Sequence, residues 1–174
     1  LGDFMRTGEV DIVAIADVDE AQLEKGLNKV EGTQGKRPDG YRDFRRILDR
    51  KDVDAVIVAT PDHWHALPTI YACQAGKDVY VEKPLAKTIQ EGRAMVNAAR
   101  RYNRIVQVGT QQRSANHFKE AVEFVQSGKL GKIRMVRAWA YLDWKGGLGN
   151  PADTEPPPTV DYDFWLGPAP KQKS

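Results

Sequence analysis

Three short polar segments, each directly after a run of small or β-branched apolar residues, carry side chains that could do chemistry. One of them is Glu82-Lys83-Pro84, which follows Asp78 to Val81. A lysine at a strand end can donate or accept a proton when its surroundings favour the neutral amine, and the proline fixes the turn that aims it. The alternative is a solvated Glu82–Lys83 ion pair that merely closes the strand.

A second segment ends at Asp17, directly after the apolar run 10–16. A carboxylate there can accept hydrogen bonds from both adenosine ribose hydroxyls and repels a 2′-phosphate, so it favours NAD over NADP. Its alternative role is to cap or turn the chain. The glycine-rich phosphate loop of a dinucleotide site should precede such a residue by about twenty positions. Because only 16 residues precede Asp17, either this is no dinucleotide site or that loop lies outside the sequence.

The third segment, TPDHWH, begins at Thr60. The backbone of Thr60 and Pro61 could line a flat cofactor ring, Trp64 could stack on it, and His63 or His65 could exchange protons near neutral pH. A metal site would need a third ligand, and no carboxylate or thiol stands at an obvious ligand spacing, so we predict no metal. The alternative is structural, with His63 capping the next helix and Trp64 buried between domains.

The elements that position these segments alternate between short β-branched runs and longer segments of helical period. This alternation is typical of βαβ units and predicts an α/β fold with a Rossmann-like, doubly wound parallel sheet. The predicted strands are 10–16, 54–60, 79–82 and 105–108. In such sheets ligands bind at the carboxyl ends of the strands, where all three polar segments fall. The Gly-, Lys- and Pro-rich stretch that ends at Gly40 is predicted to be a loop.

The alternation ends near Gly109, which divides the chain into a first domain, 1–109, and the start of a second α/β domain, 110–174. In the second part, a helix from Ser114 should carry an apolar face, residues 133–142 resemble a strand, and the Gly- and Pro-rich residues 145–170 are predicted to be mostly loop. The apolar face consists of Phe118, Ala121, Val122 and Val125.

The composition is that of an ordinary globular protein. Its 26 basic and 24 acidic residues give a net charge of +2 and are spread along the chain, which argues against nucleic acid as a partner. Cys73 is the single cysteine and can form no internal disulfide. No apolar run reaches the length of a membrane span, so no membrane role is expected.

The motifs occur in an order that resembles one known family. Along the chain they are AD ending at Asp17, ATPDHWH, EKP, VGTQQR ending at Arg113, SGKLG and WLGPAP. Together they resemble the Gfo/Idh/MocA oxidoreductases, which include glucose-fructose oxidoreductase and inositol dehydrogenase. The resemblance implies an NAD(P)-binding Rossmann domain, lacking here its first strand and glycine-rich loop. An α/β open-sheet domain would follow, supplying the substrate pocket and often the oligomer interface.

The resemblance also implies roles for particular residues. Lys83 would be catalytic and touch the substrate hydroxyl, while Pro84 often follows a cis peptide bond. Arg113 would line the substrate site, although a surface arginine before a helix is an equal alternative. The residues that would contact the cofactor are Asp17, Thr60, Pro61, His63, His65, Glu82, Lys83 and Pro84.

The implied reaction is hydride transfer between nicotinamide and a carbon of a sugar or polyol, in a protein expected to be a homo-oligomer when full length. Two alternatives stay open: an NAD-dependent glycosidase that oxidises its sugar transiently, and a non-catalytic NAD-binding or sensor protein. The family's downstream acid/base residue is not found before Ser174. We therefore expect this chain alone to bind cofactor poorly and to be inactive. A cytoplasmic location is expected, with export as the alternative.

Overall fold

The computed structural model describes residues 2–139 and 152–171. Helices and strands alternate through the first 109 residues, as the sequence predicts. In chain order the elements are α1 Gly2–Arg6, β1 Ala14–Ala16, α2 Glu20–Gln34, β2 Asp39–Tyr41, α3 Arg45–Leu48, β3 Ala55–Val58, α4 Ala66–Gln74, β4 Asp78–Glu82, α5 Ile89–Arg101, β5 Val106–Gly109, α6 Asn116–Gln126 and α7 Tyr162–Leu166.

All strand pairs among these elements are parallel. β1 pairs with β2, and β3, β4 and β5 form a second sheet in that order. In the second sheet Val58 lies opposite Val81, which in turn lies opposite Val108, so the three strands end almost level. The parallel α/β class is therefore confirmed, although the strands hydrogen-bond as two sheets where the sequence predicts one.

The main core lies between the three-stranded sheet and helices α4 and α5. Val81 and Cys73 are fully buried and Met95 is 1% exposed. Burial raises the pKa of the Cys73 thiol, so the thiol stays protonated and acts as a packing group. The other buried members of this cluster are Val58, Ala66, Ala72, Val79 and Ala98.

The predicted loop ending at Gly40 is confirmed for residues 35–38 but is wrong at its last two residues, because β2 lies at Asp39–Tyr41. A Cβ atom at Gly40 would lie 2.9 Å from Leu27 Cδ1, so only glycine lets α2 pack this closely on the strand. A strand of three residues is too short for an alternating pattern to reveal it.

The described residues form two compact units: 2–109 together with 155–171, and 110–139 together with 152–154. The division after Gly109 falls where the sequence places its domain boundary, but the chain returns to the first unit at residue 155. Part of the predicted loop 145–170 is helical, since it contains α7.

The second unit contains α6, whose predicted apolar face is exposed. Phe118, Val122 and Val125 are 46%, 52% and 44% exposed. Residues 133–139 of the predicted strand 133–142 form no regular element, and residues 140–142 lie outside the described part of the chain. Across the described ranges, no helix combines the length and apolarity needed to cross a bilayer.

Candidate active site

The carboxyl ends of β1, β3, β4 and β5, together with the loops that follow them, form an edge of the first unit that we call the rim. Asp17 follows β1 directly, Thr60 lies two residues beyond β3, and Lys83 lies one residue beyond β4. Because β3 and β4 are parallel neighbours, the segments at Thr60 and Lys83 are presented at the same edge of their sheet. Asp17 follows a strand of the other sheet.

Lys83 and Glu82 do not form the ion pair considered as an alternative. Instead, Glu82 Oε2 accepts a hydrogen bond from the Lys83 backbone N–H at 3.1 Å. The lysine side chain is exposed, and no salt bridge involves it among the described residues. The Lys83–Pro84 peptide bond is cis, as the resemblance implies. The carboxylate therefore orders the turn and leaves the ammonium available to a ligand.

Gly109 makes room for that carboxylate at the end of β5, opposite Glu82. A Cβ atom at Gly109 would lie 3.0 Å from both Glu82 Oε2 and Tyr80 Oη, and 3.2 Å from Glu82 Cα. Sequence reasoning missed this role, and the only available signal was a glycine closing an apolar strand. The Glu82 conformation depends on this absent side chain.

Asp17 is half-buried, and its Oδ1 accepts a hydrogen bond from the Asp19 N–H at 2.9 Å. The cap of α2 is Asp19 itself, whose Oδ1 accepts from the Ala21 N–H at 2.9 Å. Asp17 thus shapes the turn with one oxygen, while no hydrogen bond to its other oxygen is found among the described residues. That second oxygen is suited to accept from a ribose hydroxyl.

His65 is 1% exposed. Its Nε2 lies 2.8 Å from the Thr60 carbonyl oxygen and its Nδ1 lies 2.6 Å from the Pro84 carbonyl oxygen. The ring therefore connects the loop after β3 to the turn after β4. Both ring nitrogens, proposed from the sequence as cofactor contacts or proton carriers, are engaged by backbone of the rim.

Trp64 and His63 contact a segment from the far end of the chain, residues 155–171, which we call the strap. The Trp64 Nε1–H donates to the Phe164 carbonyl, with 3.0 Å between nitrogen and oxygen, and to the Trp165 carbonyl, at 2.9 Å. His63 Nε2 lies 2.9 Å from the same Trp165 oxygen, and the Trp64 and Phe164 rings pack edge to face at 5.3 Å. Trp64 thus has a structural role in packing the strap, and its partners lie in the same unit rather than in a second domain.

The other end of the strap joins the rim beside Asp17. The Asp161 N–H donates to the Val18 carbonyl at 2.9 Å, and the Glu20 N–H donates to the Thr159 carbonyl at 3.0 Å. Asp19 and Val160 form an isolated antiparallel bridge. The strap therefore spans from the end of β1 to the loop after β3, two strands that belong to different sheets.

Gly167 ends α7 with a φ of 48° and a ψ of −116°, a conformation that L-residues other than glycine rarely adopt. A Cβ atom there would clash with the Trp64 indole, lying 2.7 Å from Nε1. The glycine of the WLGPAP motif thus allows the strap to pack against Trp64.

Arg113 lies in the 3₁₀ turn Gln111–Ser114 of the second unit and is exposed. In the part of the chain that the structure describes, no cluster of three or more His, Cys, Asp or Glu side chains is arranged to hold a metal. The rim therefore offers the Lys83 ammonium and the carboxylates of Asp17 and Glu82 as chemical groups.

Comparison with known proteins adds independent evidence. The chain is 35% identical over 109 residues to the levoglucosan dehydrogenase of Pseudarthrobacter phenanthrenivorans, covering 63% of this chain and 28% of that enzyme. It is 32% identical over 102 residues to the glycosyl hydrolase family 109 protein 1 of Shewanella sp. strain MR-4, covering 56% of this chain and 22% of that protein.

Two solved structures have a similar fold. The myo-inositol 2-dehydrogenase of Lactobacillus plantarum superimposes with a TM-score of 0.63 at 31% identity, covering 71% of this chain and 35% of that one. A levoglucosan dehydrogenase complexed with NADH and L-sorbose gives a TM-score of 0.59 at 30% identity, covering 68% and 31%. The chain thus spans only about a third of the length of these two enzymes.

The model of the oxidoreductase family with an NAD-binding Rossmann fold matches residues 2–110. These residues contain all three polar segments of the rim, so the match and the geometry concern the same part of the molecule. The chain belongs to the Gfo/Idh/MocA oxidoreductase family.

Proposed function

We propose that the protein transfers a hydride between a nicotinamide cofactor and a hydroxyl-bearing carbon of a sugar or polyol. The observation that carries the proposal is Lys83, an exposed lysine at a parallel strand end whose neighbouring carboxylate is held by the lysine's own backbone. Family membership and the sugar and polyol dehydrogenases among its relatives support the same reaction class.

The rim fits NAD better than NADP. Asp17 presents a half-buried carboxylate whose geometry is fixed by its bond to the Asp19 N–H, so it can accept from ribose hydroxyls and repels a 2′-phosphate. Thr60 and Pro61 are exposed residues of the loop after β3. We propose that these residues, with His63, Glu82 and Pro84, hold the cofactor, which when bound supplies the hydride acceptor.

Lys83 would accept or donate the proton of the substrate hydroxyl. When the substrate carbon loses its hydride, the hydroxyl O–H bond must also break for the carbonyl to form, and Nζ of Lys83 is the group proposed to take that proton or return it in the reverse reaction. Such a step contributes about 10²- to 10⁴-fold to the rate. Glu82 keeps the Lys83 backbone in place through the 3.1 Å bond.

The test is oxidation of myo-inositol, levoglucosan and glucose by the intact protein with NAD, followed by NADH absorbance. Lys83→Ala should lower kcat/KM by about 10²- to 10⁴-fold with little change in NADH affinity. Lys87→Ala, an exposed lysine in the same loop, is the matched control and should stay within about twofold of wild type, since it removes a solvated surface charge. Equal activity of the Lys83→Ala and Lys87→Ala variants would refute the role of Lys83.

A second candidate is favoured by the similarity to a glycosyl hydrolase family 109 protein. In an NAD-dependent glycosidase the hydride is returned after the aglycone is eliminated, so NADH does not accumulate. Release of p-nitrophenol from p-nitrophenyl glycosides without net NADH would support this activity over the dehydrogenase. NADH binding without any turnover, unaffected by Lys83→Ala, would instead support a sensor protein.

Three further expectations belong with this proposal. Arg113 lines the substrate site, so Arg113→Ala should raise KM more than it lowers kcat. The 174-residue chain alone is inactive in the NADH assay, and the intact protein is a homo-oligomer by light scattering. Turnover by the 174-residue chain would refute its expected inactivity. A monomeric mass would refute the homo-oligomer.

A further inference from the structure

His65 is the most deeply buried titratable side chain of the rim, at 1% exposed. Its two ring nitrogens lie 2.6 Å from Pro84 O and 2.8 Å from Thr60 O. Both distances are within hydrogen-bonding range. The ring thus contacts the loops that follow two adjacent strands of the same sheet.

Both partners are backbone carbonyls, which only accept hydrogen bonds. A neutral imidazole donates from one nitrogen, so it would turn its second lone pair toward a carbonyl lone pair at less than 3 Å. An imidazolium donates from both nitrogens. Turning the ring over would place carbon atoms against the carbonyls, so the observed orientation is the one in which a ring N–H can bond to a loop carbonyl.

These contacts bear directly on Lys83. Pro84 is the residue after the lysine, and Thr60 begins the loop that we propose holds the cofactor. A shift of the Pro84 carbonyl would carry the lysine with it, and a displacement of about 1 Å at a reacting group can cost about 10²-fold in rate. The ring is therefore placed to set the position of Lys83 relative to the Thr60–Pro61 backbone.

We propose that His65 is a positioning residue: its ring, held between the Thr60 and Pro84 carbonyls, connects the two loops and thereby fixes Lys83 for proton transfer. The kinetic part rests on the proposed dehydrogenase function, whereas the hydrogen-bonding part does not. In this proposal His65 acts through Lys83, and the cofactor contact that the family resemblance implies for it is not required.

The first experiment is a ¹⁵N NMR spectrum of the histidine rings in the wild-type 174-residue chain at neutral pH. The sequence contains only three histidines, and His65 is assigned by its absence from the His65→Gln spectrum. We expect a His65 ring N–H that exchanges slowly with water, because the ring is buried and bonded to a loop carbonyl. A His65 ring proton that exchanges as fast as those of the other two histidines would overturn the two-carbonyl brace, and this outcome is independent of any enzymatic activity.

The second experiment measures kcat and KM of the intact protein with NAD and the best substrate among myo-inositol, levoglucosan and glucose. His65→Phe keeps a ring but removes both donors, and should lower kcat by about 10²-fold with KM within about threefold. His65→Gln keeps an N–H donor and should recover part of the loss. His117→Gln, on α6 of the second unit, is the control.

Circular dichroism and urea unfolding show which variants fold. An unchanged kcat in folded His65→Phe, or a loss confined to KM, would overturn the positioning role. If neither His65 variant folds, the ring spectrum of the wild type still decides whether the brace exists. If no substrate is turned over while the His65 ring N–H is protected from exchange, the proposed function fails and the brace stands.

Discussion

The two edges of the parallel strands in the first unit are held together by different interactions. At the carboxyl edge, His65 and Trp64 contact backbone carbonyls from other segments. At the amino edge, Arg50 pairs with Asp39, at the start of β2, and with Asp52, just before β3, at 2.6 Å each. The two acidic side chains are 67% and 59% exposed.

The two edges differ in how much stability is lost when one contact is removed. Exposed ion pairs contribute about 0 to 1 kcal/mol each, and water can replace either partner. A buried donor or acceptor that loses its partner costs about 1 to 3 kcal/mol, because nothing replaces the bond. His65 at the carboxyl edge is such a buried group, so the backbone positions next to Lys83 depend on its contacts.

The largest effect is expected at the strap. Gly167→Ala adds a Cβ into the Trp64 indole at a φ of 48°, combining overpacking with backbone strain, each about 1 to 3 kcal/mol. Unfolding in urea, followed by tryptophan fluorescence, should show a loss of about 3 kcal/mol or more.

The control for this substitution is Gly35→Ala, at the end of α2, where φ is 72° and no atom lies within 4 Å of the added Cβ. It carries strain alone, about 1 to 2 kcal/mol. Equal losses of unfolding free energy in the two variants would mean that the clash with Trp64 adds nothing to the cost of Gly167→Ala.

The next largest effect is expected on the selectivity for NAD over NADP. Asp17→Asn keeps an oxygen for the Asp19 N–H but removes the charge, so we expect weaker NAD binding, by about 1.5 to 3 kcal/mol, with little change in stability. Binding of NADP should weaken less, because repulsion of its 2′-phosphate is also removed. Titration of the intact protein with NADH and NADPH, followed by fluorescence, measures both. An unchanged preference would exclude Asp17 from the ribose site.

A change in free energy similar to or smaller than that at Asp17 is expected at Gly109, where β5 lies beside Glu82. Gly109→Ala would push a methyl group against the carboxylate and the Glu82 backbone, at a cost of about 1 to 3 kcal/mol. Gly92→Ala, inside α5 with its nearest neighbour at 3.9 Å, should instead stabilise by about 0.5 to 1 kcal/mol. Urea midpoints compare the pair, and a neutral Gly109→Ala would show that the Glu82 pocket is adaptable.

The smallest effect is expected at the amino edge. Hydrogen bonds from the Arg50 guanidinium lower the pKa of Asp52 from 3.8 to about 2. Because the folded-state pKa is depressed, this stabilisation is present above pH 4 and is lost as the pH falls toward 2. Asp52→Asn should therefore lower the urea midpoint slightly at pH 7 and make no difference near pH 2. A shift at pH 7 as large as that of Gly167→Ala would remove the contrast between the edges.

Local sequence patterns predicted what depends on neighbouring residues. The Thr88 and Glu91 capping box that begins α5 is present, Gly76 follows the end of α4 with a φ of 77°, and the alternation of apolar runs predicted four of the five described strands. These features are set by interactions within a few positions of the chain, which a sequence shows directly.

Features that depend on distant partners could not be predicted in this way. The sequence predicts loop for most of the strap, because the residues that the strap bonds to, at Trp64, lie about 100 residues earlier. The segment TPDHWH suggested proton exchange at His65, but no local pattern indicates that both nitrogens would face carbonyls. Three glycines make room for side chains that pack against them, and only the packed structure shows those neighbours. They are Gly40, Gly109 and Gly167.

The strap also has a consequence for the order in which the molecule is made. The contacts of Trp64 with Phe164 and Trp165 span 100 and 101 residues, and contacts between such distant residues form late, because a long loop must close before they contribute. On a ribosome, which adds about 5 to 20 residues per second, residues 1–109 emerge several seconds before the strap does. The strands can pair during that interval, but the rim remains incomplete until the segment containing Gly167 arrives.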